Sequence, residues 1–193
     1  MAIFEIRNAG HIKKGIILNS RFSHMNYLIR NASPEDIKFL PDIEKEAARL
    51  FIKYGLEAGV FNDVSSISDL QAAQKNELLW IAEFKKKIIG FAFAEKISSG
   101  LVLSEIDVLP VFNQQGIGTA LVRKVLANAQ KKGFNRVFLT TFKEIPWNYP
   151  FYKKLGFKVV NSDKYEEDII RIVDRENSAG LDKEKRVVMV YLL

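Results

Sequence analysis

The chain has 193 residues, 48% apolar and 27% charged, enough material for one globular domain with a sizeable core and a short extension. It has no cysteine and only two histidines, His11 and His24, which excludes disulfide scaffolding, thiolate nucleophiles and cysteine-bound zinc, and leaves everything after residue 24 to work without imidazole. Half of the net charge of +6 sits in residues 1–26 and the rest is dispersed, so a nucleic-acid partner is not expected.

Residues 1–26 carry a mild apolar cluster, Ile16-Ile17-Leu18, but not the hydrophobic region of a secretory signal, and read as an N-terminal extension or leader in which Met25 is an alternative start. The longest apolar run, Ile88 to Ala94, is far short of the ~20 residues a membrane span needs. Together with the missing cysteines this points to a cytoplasmic protein without a membrane partner. The folded unit is expected over residues 27–193. It opens with a strand at Tyr27-Leu28-Ile29-Arg30, followed by a helix announced by Ser33-Pro34-Glu35-Asp36: a hydroxyl cap, proline at the first helical position and early acids. Ile43, Ala47, Leu50 and Phe51 continue an apolar stripe, and Pro41 should kink or restart the helix. Gly55 to Ser68 reads as an irregular connection suited to covering a substrate, and Asp69 to Lys75 as a short helix.

Leu78 to Phe84, Ile88 to Ile97 and Leu101 to Val108 read as an antiparallel meander, punctuated by Lys85-Lys86-Lys87 and Ser98-Ser99-Gly100. A helix from about Gly116 to Lys132 follows, with Ile117, Leu121 and Val125 on one face and Gly133 as its stop. Arg136 to Thr141 is a strand, Pro150 to Leu155 a short helix, Lys158 to Val160 a strand, Asp168 to Asn177 a helix and Arg186 to Leu192 the closing strand. The fold class is α/β (α+β), a central mixed but mostly antiparallel sheet flanked by helices.

The informative stretch runs from Ile106 to Leu121: a strand, a tight loop with Gly116 and Gly118, and a helix N-terminus. First-turn amides have no internal partner and point outward with the positive end of the helix dipole, so such a junction can bind an anion. A Walker loop would need Lys-Ser or Lys-Thr after its second glycine, where Thr119-Ala120 stands, and a dinucleotide fingerprint would need glycine at Leu121. ATP, GTP and NAD are therefore disfavoured.

Val108, Pro110, Gly116 and Gly118 resemble the Val-x-Pro-x-x-(Arg/Gln)-x-x-Gly-x-(Gly/Ala) loop of the GNAT superfamily of acetyl-CoA-dependent N-acetyltransferases, and Asn148 to Phe157 resembles that family's Tyr-x-x-x-Gly-Phe element. Thr140-Thr141-Phe142 and Pro146-Trp147-Asn148 are similar to a bacterial subgroup of it. Asn113 departs from the pattern, standing where the family usually has Arg or Gln, and Gln114 replaces a frequent glycine; the loss of a long donor implies weaker cofactor affinity. The resemblance implies acetyl-CoA as cosubstrate, no metal, and an amine acceptor, with a homodimer left open. It implies that the amides of Asn113, Gln114, Gln115, Gly116, Ile117, Gly118 and Thr119 hold the diphosphate, and that the backbone of Ile106 and Val108 holds the pantetheine arm and acetyl carbonyl. Asn148 would touch the same arm, and Tyr152 would lie by the sulfur and protonate the departing thiolate.

Without cysteine a cysteinyl acyl-enzyme cannot form, so direct attack by the bound amine is the simpler route. The base is then a carboxylate, a tyrosine or a held water. Glu105, on the strand beside the acetyl site, is the first candidate and Asp107 the second, the two expected on opposite faces so that only one meets substrate. Trp147 is a candidate wall of the acceptor pocket. Two other readings remain: a non-catalytic acyl-CoA-binding sensor, and a basic nucleic-acid-binding module.

Overall fold

The computed structural model describes residues 26–54 and 64–193. The extension at residues 1–25 and most of the connection expected at Gly55 to Ser68 lie outside the described residues. Seven strands form one sheet: β1 (Leu28–Asn31), β2 (Leu79–Phe84), β3 (Lys87–Ile97), β4 (Gly100–Val108), β5 (Arg136–Phe142), β6 (Lys158–Val159) and β7 (Arg186–Leu192). Their order is β1-β2-β3-β4-β5-β7-β6, antiparallel except for β4 against β5. The helices are α1 (Leu40–Ile52), α2 (Ile67–Lys75), α3 (Ile117–Lys131), α4 (Tyr149–Lys154) and α5 (Glu167–Ser178). The expected mixed, mostly antiparallel sheet flanked by helices is what the chain forms.

Local chemistry explains the joints. The expected first helix divides in two: Pro34–Phe39 is a tight 3-10 turn and the α-helix restarts at Leu40, with Pro41 in its first turn, where a missing N–H costs nothing. The Ser33 hydroxyl donates to Asp36 at 2.9 Å, and the Asp36 carboxylate accepts the Ser33 N–H at 2.7 Å, so the acid caps this turn more than the hydroxyl does. Lys85 and Lys86 both take positive φ, 49° and 62°, closing the β2–β3 hairpin as the two-residue turn whose twist suits right-handed strands.

The main core gathers Leu40 and Ile43 of α1, Leu70 of α2, Trp80 and Ile81 of β2, Phe91 of β3, and Leu121, Val122 and Val125 of α3. Full burial of each such side chain contributes roughly 1.5–3 kcal/mol. A second cluster sits across the sheet: Val102 of β4, Phe138 of β5 and Val188 of β7 pack against Ile169 of α5. Leu101 and Leu103 enter the main core while Val102 between them faces α5, as the two-residue alternation of a strand requires.

Two irregularities in this sheet build the site. β4 and β5 pair only at Leu101 with Val137 and Val102 with Phe138, so the strands part after two residues and the rest of β4 loses its neighbour on that side. In addition, β3 pairs Ala94 with Leu103 but Phe93 with Glu105, which leaves Ser104 as the extra residue of a β-bulge.

Candidate active site

The turn from β4 into α3 is shaped by backbone conformations that few residues adopt. Leu109 donates its N–H to Ile89 at 2.9 Å, Pro110–Phe112 make a 3-10 turn, and the chain then passes through Gln114 at φ 60° and Gly116 at φ 80° before Ile117 begins α3. Glycine at 116 answers the left-handed φ. The space beside it is open: a Cβ there would meet only the Tyr27 hydroxyl, at 3.9 Å, and one on Gly118 only the Phe151 ring edge, at 3.6 Å. Ala120 is the amide that bonds back onto Gly116, at 3.0 Å, and the amides of Ile117, Gly118 and Thr119 precede the first intrahelical bond. Ile117 buries its side chain in the core, so only its amide is available to a ligand, whereas Asn113, Gln114 and Gln115 are exposed.

The parting of β4 from β5 frees a second set of backbone groups. Because the Leu109 N–H points at β3, alternation along the strand aims Asp107 the same way and turns the N–H and C=O of Ile106 and Val108 toward the gap β5 has left. The Ile106 N–H is met there by Glu105 Oε1 at 3.1 Å.

Three carboxylates converge beside this gap. Glu44 of α1, Glu105 and Asp107 each bring an oxygen within 4.8 Å of the others, close enough for one small cation to touch all three. The expected opposition of Glu105 and Asp107 is thus wrong: residues two apart on an extended strand return to the same face. The bulge decides which face. Phe93 and Ala94 are neighbours on β3 and point oppositely, so pairing them with Glu105 and Leu103 turns Glu105 and Asp107 away from the side of Leu101 and Leu103 and toward α1.

The electrostatics follow from crowding like charges in a sheltered place. Burial, and then the charge of Glu44, push the Glu105 carboxyl up to about 8, against the pull of the Ile106 N–H. Burial, then Glu105 and Glu44, push Asp107 well up. Glu44 is raised by burial, while the Ser65 N–H, which it accepts on both oxygens at 3.0 Å, pulls the other way. Asp107 is 9% exposed and its Oδ2 has no hydrogen-bond partner among the described residues.

Tyr152, on the short helix α4, is held between Phe151 and Phe157, with ring centroids 5.0 and 5.7 Å away. Burial, with Glu105 and Asp107 adding to it, raises its phenol and keeps it protonated. Asn148 caps α4 through its carbonyl, which accepts the Tyr152 N–H at 3.1 Å, and its side chain makes no cap bond. Across the gap, Arg186 of β7 donates to Thr140 at 2.6 Å and to Glu176 at 3.1 Å and lies 4.8 Å over the Phe142 ring. Trp147 stacks edge-on against Tyr54 and Phe51 at 4.9 and 5.8 Å, making an aromatic wall with the end of α1.

Glu105, Asp107, Ile106 and Val108 therefore stand beside one gap in the sheet, with Tyr152 near enough to feel both carboxyls and the residue 113–119 turn continuing from β4. Glu44 was not foreseen. Its signal is an acid at a stripe position of α1, four residues after Leu40 and three before Ala47, where apolar side chains face the sheet.

The sheet thus opens between two parallel-paired strands, and the backbone of β4 released there lies beside three acids, two of its own and one from α1. The chain belongs to the acetyltransferase (GNAT) family, whose pattern matches residues 41–157. It is 30% identical over 99 residues to the probable N-acetyltransferase camello of Xenopus tropicalis, a match covering 50% of this chain and 45% of that protein; the chain spans about half the length of the curated relatives it matches. Its fold is similar to that of the PaiA N-acetyltransferase from Thermoplasma acidophilum in complex with coenzyme A, with TM-score 0.69 and 19% identity over 88% of this chain and 100% of that one. It is also similar to a GNAT family acetyltransferase from Brucella melitensis in complex with acetyl-CoA, with TM-score 0.52 and 20% identity over 70% and 84% of the two chains.

Proposed function

We propose that the chain is an N-acetyltransferase that moves the acetyl group of acetyl-CoA onto a primary amine by direct attack. The observation that carries this reading is the gap beside β4, where the backbone of Ile106 and Val108, released by β5, runs on into an open glycine turn and the Ile106 N–H is met, among the described residues, only by the side chain of Glu105. The coenzyme A and acetyl-CoA bound by the PaiA and Brucella proteins support the cosubstrate. In this reading the amides of residues 114–119 hold the diphosphate, that of Asn113 being spent on the Pro110 carbonyl at 3.2 Å so that only its exposed side chain can reach the ligand; Ile106 and Val108 hold the pantetheine arm and polarise the acetyl carbonyl, and the Asn148 side chain reaches the arm. The Thr140-Thr141-Phe142 and Pro146-Trp147-Asn148 motifs support placing the chain in the bacterial subgroup it resembles.

Glu105 takes one proton from the incoming ammonium, at a cost of about 4.6 kcal/mol at pH 7 for a lysine-like amine and about 1 kcal/mol for an α-amine. The freed lone pair forms the C–N bond on the thioester carbonyl carbon. As the C–S bond breaks, the Tyr152 hydroxyl gives its proton to the departing sulfur and is recharged by the second nitrogen proton. The products are the amide, coenzyme A with a free thiol, and one proton for solvent.

A thiol-release assay with acetyl-CoA against a panel of amines, with mass spectrometry locating the acetyl group, tests the reading. Amine-dependent thiol release with an acetylated amine is expected. Tight acetyl-CoA binding with only slow hydrolysis would make the chain an acyl-CoA sensor instead.

A further inference from the structure

We propose that Glu44, Glu105 and Asp107 together form a subsite for an acceptor that arrives as an alkylammonium ion with no carboxylate beside the attacking nitrogen, a simple or decarboxylated amine rather than an α-amino acid. The inference rests on the acetyl-transfer reading above and specifies its substrate class.

Three acids face one another across at most 4.8 Å, on two elements brought together by the β4 bulge. The protein supplies no contacting cation for them among the described residues. Arg186, the cation that acts on Glu105, is committed to Glu176 and Thr140 and to the Phe142 ring. Asp107 points a buried oxygen with no partner into the same place, an arrangement that leaves a polar group unpaid unless a donor is brought from outside. An ammonium group brings three N–H donors and one positive charge, enough for an oxygen of each acid. A metal ion would satisfy the same oxygens, but it would occupy the carboxylate that must take the proton.

The charge balance also says what the acceptor lacks. An α-carboxylate lies within a few ångströms of its own nitrogen, and here it would be pressed against Glu105, which must be ionised to take the proton, and against two further acid side chains, in a sheltered place where like charges repel strongly and no contacting cation among the described residues offsets them. Glu44 and Asp107 thereby act as positioning and specificity residues, while Glu105 takes the proton.

The test compares phenethylamine, phenylalanine and phenylalaninamide as acceptors for the full chain. The proposal expects kcat/KM for phenethylamine at least about 50-fold above that for phenylalanine, with phenylalaninamide recovering most of the gap because it keeps the substituent without its charge. In Glu44→Gln and Asp107→Asn the preference should shrink to about fivefold, mainly through a higher KM for phenethylamine, whereas a purely structural role would lower all three acceptors together. Equal use of phenylalanine and phenethylamine by the unaltered chain overturns the proposal and leaves acetyl transfer standing. No acetylated product from any of a broad amine panel overturns both, and tight binding of magnesium or calcium that amines do not displace assigns the three acids to a metal and overturns the proposal.

Discussion

The two sides of the gap in the sheet are made in different ways. The side proposed to take the coenzyme is contiguous: β4, its turn and the start of α3 follow one another along the chain, and what they offer is backbone, with amides aimed by Gly116 at φ 80° and by the loss of β5 as a partner. The side proposed to take the acceptor is assembled: Glu44 comes from a helix some sixty residues before Glu105 and Asp107, and what it offers is a side-chain carboxyl. A backbone cradle tolerates most side-chain changes but not a misplaced Cβ, whereas a carboxylate cluster keeps its shape through isosteric changes but not its charge. Substitutions that add a Cβ should therefore act on the first side and substitutions that remove a charge on the second.

The sharpest way to break that contrast is Gly116→Glu, which adds a carboxylate to the open space beside α3 and forces an L-residue into left-handed backbone. Acetyl-CoA affinity should fall at least about 100-fold by calorimetry, and unchanged affinity would refute the cradle. Next comes Glu105→Gln on the acceptor side: kcat should fall about 100-fold with coenzyme affinity unaltered. Because the raised carboxyl is the base only when ionised, kcat/KM of the unaltered chain should climb as pH rises through about 8, and this limb should vanish in Glu105→Gln. Tyr152→Phe bridges the two sides; about tenfold slower turnover with little change in coenzyme affinity is expected if its protonated hydroxyl serves the leaving sulfur, and equal turnover would remove that role. The smallest effect should be a gain: Asn113→Arg restores a long cationic donor beside the turn and should tighten coenzyme A about fivefold, with no change in KM for the amine.

The same contrast explains what could be read before the fold was known. The strand–turn–helix from Ile106 to Leu121 could be read because its neighbours in space are its neighbours in sequence, and the helix limits at Gly116 and Gly133 follow from local backbone conformation. The carboxylate cluster was legible only in part. Glu105 and Asp107 stood out as acids on an apolar strand, but the face they occupy depends on a register shift against β3 that no local pattern announces. Glu44 was hidden because its role exists only once α1 packs across β4. The parting of β4 from β5 is likewise a property of pairing between distant segments, and it is this that exposes Ile106 and Val108.

Coenzyme A should lie along the β4 edge at Ile106 and Val108 and over the amides of the turn before α3, ending beside Glu105. A crystal structure with coenzyme A bound tests it most directly: the account predicts diphosphate oxygens on the amides of the turn before α3, the pantetheine arm along Ile106 and Val108, and the sulfur between Glu105 and Tyr152. A coenzyme A molecule seated elsewhere, with that turn and the β4 edge left unoccupied, would contradict it.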